Sequence, residues 1–302
     1  MATKKTTVLS LPEEELVYPG NRACAGCGLS IIYRIGLKAL GRQTILVVPP
    51  SCLTVLQGLY PIAATQLPCV NVTFASTAAA ATGVLAALRA RKKDIQVAAW
   101  AGDGGTSDIG IQALSGACER GEDFIFICYD NEAYMNTGVQ RSGTTPQHVL
   151  TTTTPISGKH QRKKDVAAII AAHGIDYVAT ASAAYPLDFY DKVCKAKTIS
   201  GPKYIHVHTP CPAGWGFSAR YTVKMGRLAV ETGLFDLYER KKGEFRLTGP
   251  SQKMLGKKRR PVTDYLAGQA RFRGLSSEHV KDIQEDVDKK WAAYEKTEQG
   301  LC

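Results

Sequence analysis

The chain has 302 residues, 44% of them hydrophobic and 22% charged, which is ordinary for a globular protein large enough to bury a full core. No apolar run approaches the length of a membrane span, so no membrane-spanning helix is expected, and the opening MATKKTTVLSLPEEEL turns acidic where a signal peptide turns apolar. A cytoplasmic location follows as an expectation, and there nine cysteines point to ligation or catalysis over disulfides. The net charge of +11 sits partly in Arg91-Lys92-Lys93, Arg162-Lys163-Lys164 and Lys257-Lys258-Arg259-Arg260, which read first as solvated helix ends and loops. An acidic protein partner is the next reading of that charge. Nucleic acid is not expected, because no aromatic-plus-basic motif accompanies the runs.

In chain order, the first twenty residues read as an irregular arm. The spacing of apolar residues predicts a helix from Gly28 to Leu40, stopped by Gly41. Thr44–Val48 is a short buried strand closed by Pro49-Pro50, and 71–74 a second strand. Ser76 or Thr77 is expected to cap an alanine-rich helix reaching Arg91. A strand over 95–101, a helix from Ser107 to Arg120 and a strand over 123–130 form a βαβ unit. Its strands are almost continuously apolar, as in a parallel sheet covered on both faces. The Thr-, Pro- and Gly-rich stretch 143–161 is a long loop of the kind found at functional sites. Helix and strand then alternate over 164–173, 177–179, 187–198 and 203–208. After Cys211 the pattern weakens into a charged extension closed by a helix from Ser277 to Lys296, and no internal repeat is present.

Two segments carry chemistry. Gly102-Asp-Gly-Gly-Thr-Ser107 lies where a parallel strand passes into a helix, a place where backbone amides can approach an anion. Asp103 would repel a bare phosphate, so its presence suggests a bridging Mg²⁺ that takes oxygen ligands. A right-handed crossover brings the end of the next strand alongside. There Asn131 and a backbone carbonyl just beyond it can complete the protein's share of the ligands. The other segment is Cys24-Ala-Gly-Cys27, which as a C-x-x-C admits a redox dithiol, half a zinc site or half an iron–sulfur site. Cys52 and Cys211 sit in turns bounded by Pro and Gly that suit metal ligands, and Cys69 is the rival fourth ligand. Cys118 and Cys194 read as helical, Cys128 as part of a strand, and Cys302 ends the chain. Spacing alone leaves the metal open.

Together, "CAGCG", "SC", "AGDGGTSDIG", "YDNEAYMNTGVQRSGTTP", "TPCPAGW" and the closing "YLAGQARFRGLSSEHVKDIQEDVDKKW" resemble the β subunit of 2-oxoacid:ferredoxin oxidoreductases, over almost the whole chain. The resemblance implies an α/β fold whose mostly parallel sheet has helices on both faces. It implies residues 1–215 as a domain binding thiamine diphosphate and Mg²⁺, with the cluster segment at its N-terminus. Residues 216–302 would be an extension packed on that domain or on a partner subunit. Asp103, Asn131 and the carbonyl of Ala133 would hold Mg²⁺; Gly102, Gly104 and Gly105 the diphosphate; and Asn136 would stand beside the thiazolium and substrate. Cys24, Cys27, Cys52 and Cys211 would ligate a [4Fe–4S] cluster. The implied activity is oxidative decarboxylation of a 2-oxoacid in anaerobic metabolism. Electrons would leave singly through the cluster to ferredoxin, and CoA would take the acyl group.

Pyruvate is the expected substrate; branched-chain 2-oxoacids or oxalate would use the same motifs. An α subunit would supply the glutamate that activates the cofactor and most substrate contacts, with γ and δ-type ferredoxin-like subunits beyond it. Glu132 is expected to point into the structure, and His148 and His160 toward the surface. For His206 and His208, packing and cluster-shell roles are both open. A single-chain thiamine enzyme would need both halves of the cofactor site within this length. A zinc- or nucleic-acid-binding protein would be colourless, where a cluster protein is brown.

Overall fold

The computed structural model describes residues 6–298. The initial arm is tied down: Lys38 donates from Nζ to the carbonyls of Pro12 and Glu14, and Arg34 pairs with Glu15. α1 (Gly28–Leu40) follows, ending as expected at Gly41, whose φ of 79° is open to a residue without Cβ. β1 (Thr44–Val48) leads into α2 (Cys52–Gln57), so Cys52 opens a short helix and does not sit in a bare turn. β2 is Cys69–Asn71, a few residues earlier than the apolar spacing of 71–74 suggests; there the chain is already turning toward Phe74. α3 (Thr77–Ala90) starts after Ser76, but the Ser76 hydroxyl donates to the Thr73 carbonyl and makes no cap bond.

β3 (Gln96–Gly102) runs directly into α4 (Asp103–Ser107), which is separated from α5 (Ile111–Glu119). The single helix expected from Ser107 is therefore two. The break has a steric reason: a Cβ at Gly110 would lie 2.1 Å from the Gly105 carbonyl oxygen, so the chain doubles back tightly there. β4 (Ile125–Asp130), α6 (Val166–Ala171), β5 (Tyr177–Ser182), α7 (Pro186–Lys197), β6 (Lys203–His208) and α8 (Pro212–Trp215) continue the alternation. The extension adds α9 (Thr222–Glu231), the hairpin β7 (Tyr238–Lys241) and β8 (Glu244–Leu247), α10 (Gly249–Met254), α11 (Thr263–Leu266) and α12 (Ser277–Glu298). Cys302 lies outside the described residues.

One eight-stranded sheet, in the order β2-β1-β3-β4-β6-β5-β7-β8, organises the fold. The first six strands are parallel, and the extension's hairpin joins antiparallel at the edge of β5. One face buries Ile32, Leu37, Trp100, Phe189 and Val193 under α1 and α7; the other packs α3, α5, α6 and α9 over Val97, Phe126 and Tyr204. From β1 the chain goes outward to β2 and then crosses to the other side for β3. The strand order thus reverses between β1 and β3, and a crevice opens at their carboxyl ends.

Candidate functional site

A cavity of about 250 Å³ fills that crevice. It is lined by Pro50, Ser51 and Cys52 beyond β1, Phe74 beyond β2, Gly102 to Gly105 beyond β3, and Asn131 and Ala133 to Thr137 beyond β4. Every residue assigned from the sequence to Mg²⁺ or diphosphate is in this lining, and Asn136 is exposed at its rim. Asp103 is the only carboxylate among them. β3 and β4 are hydrogen-bonded neighbours in register from Ala98 with Ile125 to Gly102 with Tyr129, which is why the two loops meet.

Asn131 is almost fully buried, and one end of its side-chain amide lies 2.8 Å from the Ala133 carbonyl and 3.1 Å from Asp103 Oδ1. The other end lies 3.8 Å from Cys52 Sγ, and donates to it when Nδ2 is on that side. With Nδ2 toward the oxygens the amide donates to both, which satisfies it when no cation is present. With the amide oxygen on that side, three oxygens face one another, an arrangement that a cation among them would stabilise. Octahedral Mg²⁺ with ligands at about 2.1 Å sets neighbouring oxygens about 3.0 Å apart. The donor set fits the ion.

The glycines open the crevice less simply. A Cβ at Gly104 would fall 2.3 Å from the Tyr134 ring, and one at Gly105 would meet Phe74 at 3.3 Å. They make room for aromatic walls, while the first turn of α4 leaves backbone amides without helical partners.

Behind Asp103 stands a buried polar network that sequence reasoning missed. Asp103 Oδ2 accepts from Ser142 Oγ and Thr144 Oγ1, and Thr144 Oγ1 lies 2.9 Å from Asp130 Oδ1 as well. One hydroxyl proton cannot serve both carboxylates at once. Burial, and then the charge of Asp130, push the Asp103 carboxyl up to about 8, with the two hydroxyls opposing. Burial also works against Asp130. There Lys163 at 2.7 Å and His206 at 2.9 Å outweigh it and hold the carboxyl well below its ordinary range. Lys163 binds Glu132 at 2.7 Å too, so this member of a basic run is no freely solvated lysine but the half-buried counter-ion of the site loop.

Replacing Lys163 by Met leaves Asp130 and Glu132 buried beside one another with one cation fewer. A loss of about 3–5 kcal/mol in unfolding free energy is expected, read by denaturant titration of the purified chain.

Glu132 has a φ of 68°, unusual for a residue with Cβ, and is held by Lys163 and by Arg271 at 2.7 Å. As expected it points inward, locked in ion pairs. Arg271 comes from the extension and stacks 3.7 Å from the centre of the Trp215 ring, whose Nε1 donates to the Asn131 carbonyl at 2.8 Å. The ring of His208 lies over Phe235 and beside Trp215, and burial pushes its pKa down to about 4. His148 stacks on His279, and His160 bonds Ser157 at the surface.

The four nominated thiols gather beside the crevice. The Gly28 amide donates to the Pro210 carbonyl and Thr222 Oγ1 to the Gly26 carbonyl, so the C-x-x-C loop is fastened to the loop of Cys211. Burial raises the pKa of Cys27, Cys52 and Cys211. The charge of Cys211 and Cys27 adds to the effect at Cys52, that of Cys27 and Cys24 at Cys211, and that of Cys24 at Cys27. Backbone amides point at the sulfurs: Ser30 and Leu29 at Cys27, Asn136 at Cys52, and Gly214 at Cys211, the last at 3.4 Å. Amides aimed at sulfur suit thiolate ligands of a cluster. Cys69 stands apart in β2, where its sulfur accepts from Gln57. Among the described residues no three His, Cys, Asp or Glu side chains meet at the spacing of a single-ion site.

Comparison with known proteins places this geometry. Residues 53–207 match the model described as "Thiamine pyrophosphate enzyme, C-terminal TPP binding domain", and all four nominated cysteines fall outside that span. A pyruvate synthase subunit PorB of Methanothermobacter marburgensis is 52% identical, over 93% of this chain and 97% of that one. A PorB of Methanocaldococcus jannaschii is 49% identical over 94% and 97%. A ketoisovalerate oxidoreductase subunit VorB of Pyrococcus furiosus is 43% identical over 95% of each chain. A chain of the 2-oxoglutarate:ferredoxin oxidoreductase from Magnetococcus marinus shares the fold, with a TM-score of 0.59 at 17% identity over 91% and 97%. No described helix is long and apolar enough to cross a membrane. The chain belongs to the 2-oxoacid:ferredoxin oxidoreductase family, as a subunit that carries its thiamine-diphosphate-binding domain.

Proposed function

We propose that this β-type subunit serves an oxidoreductase that oxidatively decarboxylates pyruvate, with CoA as acyl acceptor. In this reading Asp103, Asn131 and the Ala133 carbonyl hold Mg²⁺, and the amides of Gly102, Gly104 and Gly105 face the diphosphate. Asn136 stands beside the reacting end, and Cys24, Cys27, Cys52 and Cys211 hold a [4Fe–4S] cluster. The observation that carries it is the meeting of the Asp103 carboxylate oxygen, the Ala133 carbonyl and the Asn131 amide, at 2.8 and 3.1 Å, beyond the tips of two adjacent strands. Bound there, thiamine diphosphate supplies the carbon nucleophile and electron sink needed to release CO₂ from a 2-oxoacid.

The chain's own residues do the rest of the positioning. The Ser142 and Thr144 hydroxyls occupy Oδ2 of Asp103 and leave Oδ1 for the cation. Cys52, which lines the cofactor cavity, is nominated for the cluster as well, so one residue spans both groups and single-electron transfer between them needs no long path. Electrons then pass to γ and δ-type ferredoxin-like subunits and ferredoxin.

Pyruvate is favoured by the 52% identity to a pyruvate synthase subunit, against 43% to a ketoisovalerate oxidoreductase subunit. A screen of pyruvate, ketoisovalerate and oxalate with viologen dye tests it on the enzyme co-purified from its source. Fastest reduction with either of the others overturns the pyruvate assignment.

A partner is required because Asp103 faces the metal and, among the described residues, no second carboxylate lines the crevice. An α subunit brings the missing acid. The purified chain alone is expected to fall below the assembled enzyme by at least about 10²–10⁴-fold, the usual contribution of one positioned acid–base group. Comparable turnover without a partner refutes the division of labour.

A further inference from the structure

We propose that the side-chain amide of Asn131 links occupancy of the Mg²⁺–diphosphate site to the reduction potential of the cluster, by turning over when the cation binds. The inference rests on the reading above that both groups bind this chain. An amide has one end that only accepts and one that only donates. At Asn131 the two ends face different partners: the oxygens of Ala133 and Asp103 on one side, and the sulfur of Cys52 on the other.

With no cation present, the better arrangement puts Nδ2 toward the oxygens, where it has two acceptors at 2.8 and 3.1 Å. Oδ1 then faces Cys52 Sγ, lone pair against lone pair. With a cation among the three oxygens, only Oδ1 can face it, and Nδ2–H is turned onto the sulfur at 3.8 Å. The backbone does not need to move. The Asn131 carbonyl is held by Trp215 Nε1, and the other donor to Cys52, the amide of Asn136, belongs to the main chain.

A hydrogen bond to a ligating sulfur stabilises the more negative, reduced cluster and raises its potential, whereas an oxygen aimed at that sulfur lowers it. Cofactor binding therefore makes the adjacent cluster a readier electron acceptor. By linkage, a reduced cluster holds the cation more tightly by the same factor. An aspartate at this position would bind the metal but could not donate to the sulfur.

The test uses the assembled oxidoreductase, purified anaerobically with ¹⁵N in asparagine side chains and stripped of Mg²⁺ and thiamine diphosphate by chelation. Pulsed EPR of the reduced clusters and a potentiometric titration are recorded before and after both are restored. The expected result is a ¹⁵N coupling that appears on restoration, together with a rise in one cluster's midpoint potential. In Asn131→Asp, which keeps an oxygen for the metal, the coupling is absent and the rise is lost. Should that variant fail to fold, the comparison of stripped and restored wild type decides alone. An unchanged coupling and midpoint, with iron and thiamine both shown to be bound, overturn the proposal and leave the cofactor assignments standing. Protein without iron at this subunit, or without Mg²⁺ uptake, overturns the assignments and the link with them.

Discussion

Asp103→Ala is expected to abolish Mg²⁺-dependent binding of thiamine diphosphate while the fold persists. Asp103 is the only acid lining the crevice, and it contributes one of the three facing oxygens. Removing one partner of a desolvated charge contact costs about 2–5 kcal/mol, or roughly 30- to 4,000-fold in affinity. The surroundings need little change, because the buried carboxyl already resists ionisation without a cation, and Ser142 and Thr144 can turn to other acceptors. Calorimetric titration of the cofactor with and without Mg²⁺ reads the loss. Wild-type affinity in the variant would mean that the metal sits elsewhere. Asp103→Asn is the stricter comparison: it preserves shape and oxygen but removes charge, so it is expected to retain part of the binding.

Cys52→Ser is expected to strip the cluster and with it electron delivery to ferredoxin. Even a partner outside the ligand shell typically costs 10- to 100-fold in metal affinity, so loss of a ligand is expected to exceed about 100-fold. Iron per chain, the broad visible absorption and dye reduction are expected to fall together, while Cys69→Ser, remote from the other thiols, leaves all three unchanged. Full iron content in Cys52→Ser removes this residue from the ligand set. Because Cys52 also lines the cofactor cavity and takes a bond from Asn131, its loss is expected to disturb thiamine diphosphate binding slightly as well.

How far the molecule can be read from its residues depends on whether the deciding interaction is local. β1 is an apolar run closed by two prolines and β6 a β-branched and aromatic stretch between prolines, and the structure places both at the residues that pattern marks; α1 ends at a glycine that reverses the chain. The break between α4 and α5 could not be read, because it depends on Gly110 packing against a carbonyl inside the same turn. The β7–β8 hairpin was concealed by its charge, although its turn carries a signal. Lys242 and Gly243 have φ of 49° and 84°, the two left-handed positions of a tight turn that suits Gly.

The crevice was legible in outline because Asp103, Asn131 and the glycines belong to short contiguous motifs on adjacent strands. What lies behind it was not. Lys163 is written in the same letters as its solvated neighbours, and only the fold brings it onto Asp130 and Glu132. Nor does Arg271 stand near anything in sequence that would mark it as the clamp on Trp215.

That clamp has a consequence for how the protein is made. The loop of Asn131 emerges from the ribosome well before Arg271, whose guanidinium fastens it through Glu132 and Trp215. A product that stops short of Arg271, however well its sheet has formed, is expected to carry the crevice with one wall unfastened.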